Sequence, residues 1–148
     1  MFSKIVVGLD GSDTSLNALR LACDLADKYA SELHLVHTPQ PQTVAFALGA
    51  VAGYHGATTM PSPSEVTAAG SRVLDAGAAI AAECGHADVE THLELGDAAE
   101  VITGYANYCG ADLIVTGRRG LGALGALVQG STTQRVNHLA ECACLSVI

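Results

Sequence analysis

Gly117-Arg118-Arg119-Gly120, followed after nine residues by Gly130-Ser131-Thr132, has the composition of an anion cradle. Glycine adopts positive φ and lets backbone N–H groups approach an anion closely, and the first turn of a helix adds unpaired N–H donors and partial positive charge. A loop of this kind holds phosphate without a lysine. The alternative reading is a glycine-rich turn that only shapes the chain, with Leu121 to Leu127 as packing residues. One nucleotide-binding motif is excluded. Gly125 and Gly130-Ser131-Thr132 have Walker-like spacing, but Ser131 stands where that motif needs its lysine.

The elements around the loop are legible. Ala111-Asp112-Leu113-Ile114-Val115-Thr116 reads as a buried strand leading into the glycines, and a hydroxyl-capped helix starts at Ser131. At the other end of the chain, Lys4-Ile5-Val6-Val7-Gly8-Leu9 is a first strand bounded by Asp10-Gly11-Ser12. Leu16, Leu19, Ala22, Cys23, Ala26 and Ala30 then mark an amphipathic helix. Leu33 to His37 makes a second strand, Val89-Thr91-Leu93-Leu95 a third by alternation, and Cys144 to Ile148 a fifth. Ser64 reads as the cap of a long Ala-rich helix ending at Gly85, and Asp97-Ala98-Ala99-Glu100 as a capping-box start of one closing at Gly110. The βαβαβαβαβ alternation predicts one α/β domain over 1–148, a doubly wound parallel sheet with helices on both faces. Ligands of such sheets sit beyond the carboxyl ends of the strands at the topological switch point, here between strands one and four. Pro39 to Pro63 reads as an irregular flexible loop or as a lid over that site.

Composition limits the partners. A formal net charge of −8 with seven Lys and Arg lacks the cationic footprint of nucleic-acid binding, whereas a free nucleotide fits Arg118, Arg119 and Arg135 near the loop. No apolar stretch reaches about 18 residues and no basic leader opens the chain, so the expectation is a cytoplasmic protein that does not insert into membranes. The cysteines Cys23, Cys84, Cys109, Cys142 and Cys144 are odd in number and imply no disulfide framework. Cys142 and Cys144 share a strand face with His138 upstream, which allows a soft metal. Small buried cysteines are commoner, CxxC pairs are absent, and no metal site is expected.

Taken together, Lys4 to Ser12, Ala111 to Gly117 and the spacing of Gly117, Gly120, Gly130 and Ser131 resemble the universal stress protein family over essentially the whole chain. The resemblance implies a five-stranded parallel sheet of order 3-2-1-4-5, a homodimer formed through the C-terminal strand, and, for the subgroup with this glycine motif, bound ATP. By position, Asp10 would lie near the ribose and the metal-phosphate region, with Gly8 and Leu9 lining the crevice beside Thr116. Thr38 would read the adenine edge through its backbone. Gly117 and Gly120 would approach ribose and phosphate. Gly130, Ser131 and Thr132 would hold the β and γ phosphates, and Mg²⁺ would ride mainly on phosphate oxygens. Arg118 and Arg119 depart from the small or His residues often found inside the motif, and one of them is expected to contact phosphate. The C-terminal strand also departs: it lacks the usual preceding proline and carries Ser146, which leaves the register of dimer pairing open.

The resemblance implies a nucleotide-dependent regulatory or stress-response protein, with no catalytic residues assigned and at most slow ATP hydrolysis. Two other classes stand beside it. One is a hydrolase or adenylyl-transfer enzyme on the same architecture; the other is a nucleotide-free dimeric module whose 39–63 segment binds an unidentified protein partner.

Overall fold

The computed structural model describes residues 1–52, 60–118 and 131–148, with the side chains of 46, 47, 49–52 and 131 left aside. Five strands, β1 (Lys4–Leu9), β2 (Glu32–His37), β3 (Glu90–Leu93), β4 (Leu113–Gly117) and β5 (Ala143–Val147), form one sheet in the order β3-β2-β1-β4-β5. Every neighbouring pair is parallel. Parallel strands joined by crossover helices are covered on both faces, which is why β1 and β4 read as near-continuous apolar runs and β2 is buried from Leu33 to His37 despite its two histidines.

The alternation of side chains divides the core. Ile5, Val7, Leu9, Leu33, Leu35, Leu113 and Val115 meet α1 (Asp13–Tyr29) and α3 (Pro63–Glu83). Val6, Val36 and Ile114 meet α4 (Ala98–Cys109) and α5 (Ser131–Leu139) on the opposite face. Gly77 lets α3 lie close to the first face, because a Cβ there would stand 2.5 Å from Leu9 Cδ1. Cys109, Cys142 and Cys144 pack against the second cluster as small apolar groups, and burial raises all three thiol pKa values.

Three readings of the sequence need correction. The segment after β2 is not irregular throughout: α2 spans Pro41–Ala52, with proline at the first helical position, where its missing N–H costs nothing. Its lack of charged residues removed the polar face that makes helical periodicity visible. Residues 53–59 of the expected lid lie outside those described. The cap of α3 is Ser62, not Ser64, and it forms a full capping box with Glu65 ahead of Pro63. The third strand ends at Leu93, leaving Leu95 exposed beyond the sheet.

Asp112 fastens the amino ends of two neighbouring strands. Its Oδ2 accepts from Ser3 N and Ser3 Oγ, both at 2.5 Å, and from Lys4 N at 3.0 Å. These bonds, the Ser3 hydroxyl foremost, hold its carboxyl below the ordinary 3.8. The stability they contribute is therefore present above 3.8 and lost as pH falls through the lowered value. Urea midpoints taken from about pH 6 to about pH 2 should show Asp112→Asn less stable than wild type at the upper end, with the gap closing under acid. A gap independent of pH would contradict this role.

Candidate functional site

The switch point lies between β1 and β4, and the registers bring the expected residues to one edge. Leu9 pairs with His37, so Asp10 and Thr38 follow side by side. Gly8 pairs with Thr116, so Gly117 comes level with Leu9. The carboxyl ends of β1, β2 and β4 thus deliver Gly8, Leu9, Asp10, Thr38, Thr116, Gly117 and Arg118 to a common rim.

Local sequence explains the Asp10 corner. Gly11 takes φ 82°, turning the chain from β1 into α1. Asp10 Oδ1 accepts from Ser12 N at 2.9 Å and from Ser12 Oγ at 2.5 Å, the aspartate turn this residue type favours. Ser12 then caps α1, accepting from Ser15 N, and its hydroxyl stands 3.1 Å from that of Thr14. Asp10 is therefore held by the cap of the next helix.

At the end of β2, His37 Nδ1 lies 2.7 Å from Leu9 O. A carbonyl only accepts, so Nδ1 carries the proton and Nε2 is bare in the neutral ring. Burial pushes the His37 pKa below its ordinary 6.5, opposed by the Leu9 bond and by Asp10, so the ring is neutral at pH 7. The next residue, Thr38, is buried, and its Oγ1 has no hydrogen-bond partner among the described residues. Gln40 Nε2 donates to Thr38 O at 3.4 Å and to Gly96 O at 3.3 Å, tying the exit of β2 to the chain beyond β3. There a cleft of about 380 Å³ opens, lined by Glu94, Gly96, Asp97, Glu100 and Tyr105 among others.

At the end of β4, Gly117 is packed against the first turn of α1. A Cβ there would stand 2.8 Å from Ser15 N and 2.8 Å from the Thr14 carbonyl carbon. Arg118 is exposed, and its N–H donates to Val147 O at 2.6 Å. Gly8 lies on the other face, where a Cβ would meet Ile102 Cδ1 at 2.8 Å.

Arg119, Gly120 and Gly130 lie outside the described residues, as does the loop between them. α5 spans Ser131–Leu139, and Thr132 in its first turn is exposed. The Arg135 guanidinium, near the glycine loop in sequence, pairs with Asp97 and Glu100 of the α4 start. Sequence reasoning missed three groups. Ser12 and Thr14 follow Asp10 at cap spacing, a signal present in the sequence. Thr133, whose Oγ1 donates to Gly117 O at 2.9 Å, left no signal because its partner is 16 residues away. Among the described residues no group of three or more His, Cys, Asp or Glu gathers as metal ligands.

Residues 1–147 match the universal stress protein family. The chain belongs to that family. It is 32% identical over 153 residues to universal stress protein YxiE of Bacillus subtilis (strain 168), covering 99% of each chain. Its fold is similar to that of a universal stress protein solved in complex with cAMP, with TM-score 0.69, 23% identity and 99% and 97% of the two chains covered. It is also similar to the universal stress protein of Archaeoglobus fulgidus in complex with dAMP, with TM-score 0.66, 20% identity and 99% and 98% covered. At such identities these structures show a shared fold, and the sheet order β3-β2-β1-β4-β5 is this chain's own. Among the described residues no helix is long and apolar enough to cross a membrane.

Proposed function

We propose that this chain is a cytoplasmic, dimeric regulatory or stress-response protein that binds an adenine nucleotide, ATP in the first place, at the carboxyl edge of β1, β2 and β4. The buried Thr38 hydroxyl, which has no partner among the described residues, carries this reading. A buried unsatisfied hydroxyl costs about 1–3 kcal/mol, a debt that a ligand with polar edges removes on binding. Adenine stands at Thr38, the ribose near Asp10 and Gly117, and the phosphates on the amides of Gly130, Ser131 and Thr132 with one of Arg118 and Arg119. The cAMP and dAMP complexes of the two similar proteins support an adenine nucleotide as the ligand class.

Mg²⁺ fits as a companion of the phosphates, since a hard ion that keeps several waters needs few protein ligands. When bound, it neutralises phosphate charge beside Asp10. The neutral, buried His37 has its Nδ1 proton fixed toward Leu9 O, which ties the end of β2 to the end of β1. In this reading the nucleotide acts as an ordering ligand, stabilising one arrangement of the surrounding segments and of a dimer paired through β5, whose outer edge has no partner strand among the described residues.

Thr38→Val tests the reading through two opposite signs. It replaces an orphan hydroxyl by a methyl of like shape, so the nucleotide-free protein should gain about 1 kcal/mol in urea unfolding. Affinity for ATP-Mg²⁺ should fall about fivefold. Loss of stability with unchanged affinity would refute the assignment of Thr38.

A further inference from the structure

The first turn of α5 is fastened at two points away from the expected phosphates. Thr133 is buried, and its hydroxyl donates its one proton to Gly117 O at 2.9 Å. Gly117 is itself packed against Thr14 and Ser15, so a continuous set of contacts runs from α1 through β4 to α5. On the other side, Arg135 pairs with Asp97 and, at 3.3 Å, with Glu100 Oε1. Asp97 serves two helices at once, because its Oδ1 caps α4 by accepting from Glu100 N at 3.1 Å.

We infer that Thr133 and Arg135 are positioning residues of the nucleotide crevice, holding the N-terminal amides of α5 in register with the ends of β4 and α4 before a ligand arrives. The inference rests on the nucleotide reading above. Donors set in advance spare the complex the cost of ordering them, and a site gains most when its supporting shell is locked. Of the two anchors Thr133 is the stronger. Thr133 is buried and its bond part-buried, whereas the Arg135 pairs are half-exposed and screened by salt.

The test compares full-length wild type with Thr133→Val, Thr133→Ser and Arg135→Gln. Amide hydrogen exchange at Arg135 and Val136, the first α5 positions whose N–H groups bond back to the first turn, is read without nucleotide, and ATP-Mg²⁺ affinity by calorimetry. Thr133→Val should speed exchange and weaken ATP by about fivefold each, the value of one ordinary hydrogen bond, and Thr133→Ser should restore both. Arg135→Gln should weaken ATP about twofold at low salt and have no effect at high salt. Exchange and affinity in Thr133→Val equal to wild type, or no rescue by serine, would overturn the inference. Wild type that binds no ATP would overturn the nucleotide reading and this inference with it, and is distinguished by failing before any variant is compared.

Discussion

Gly117→Val is expected to destabilise the protein by about 3 kcal/mol and to lower its melting temperature by about 6–12 °C. The cause is backbone crowding. The new Cβ would stand 2.8 Å from Ser15 N and from the Thr14 carbonyl carbon, and 2.9 Å from Thr14 Oγ1. Two of those three atoms belong to the main chain of the first turn of α1, so no rotamer change relieves the contact. Either α1 moves away from β4 or β4 bends, and both disturb the Thr133 bond to Gly117 O. The variant should therefore lose nucleotide affinity together with stability. Gly104→Ala is the control, since a Cβ there meets nothing within 4 Å and alanine favours a helix interior by about 0.5–1 kcal/mol. Urea unfolding of the two variants should move in opposite directions; a Gly117→Val protein as stable as wild type would show that β4 and α1 are not held at this distance.

Gly130→Val is expected to weaken ATP-Mg²⁺ binding at least about a hundredfold, or about 2.8 kcal/mol, while leaving the fold intact. Here the argument concerns the ligand rather than the core. Gly130 directly precedes α5, and a backbone that must reach phosphate tolerates a branched side chain poorly. The sheet, its two apolar clusters and both anchors of α5 are formed by other residues. An unchanged circular dichroism spectrum with lost calorimetric heat is the predicted pair of results. Retained affinity would remove the phosphates from this position.

The sheet was legible because its information is local. Apolar runs of strand length, each closed by a turn, made β1 and β4 visible, the short Leu33 to His37 segment gave β2, and Asp97 and Gly110 marked both ends of α4. The order β3-β2-β1-β4-β5 came from the resemblance, since alternation alone gives parallel strands but not which neighbours pair. α2 was hidden because its uncharged sequence has no polar face. Of the proposed site residues, Asp10 and Gly117 drew attention because each stands where an apolar strand gives way to a turn, whereas Thr38 came from the resemblance. What sequence could not show was long-range partnering. Arg135 sits near the glycine loop in the chain, yet its guanidinium belongs to Asp97 and Glu100 of another helix. Thr133 likewise looks like one more hydroxyl at a helix start until the fold brings Gly117 to it.

The most direct measurement is nucleotide content and binding on freshly purified protein: denaturation to release and identify any bound nucleotide, then melting temperature followed through an ATP-Mg²⁺ titration. The predicted result is co-purified adenine nucleotide, or stabilisation of about 2.7 kcal/mol at a hundredfold excess over the dissociation constant. Folded protein with no released nucleotide and no shift across the titration would contradict the account and leave the glycine loop as a structural element.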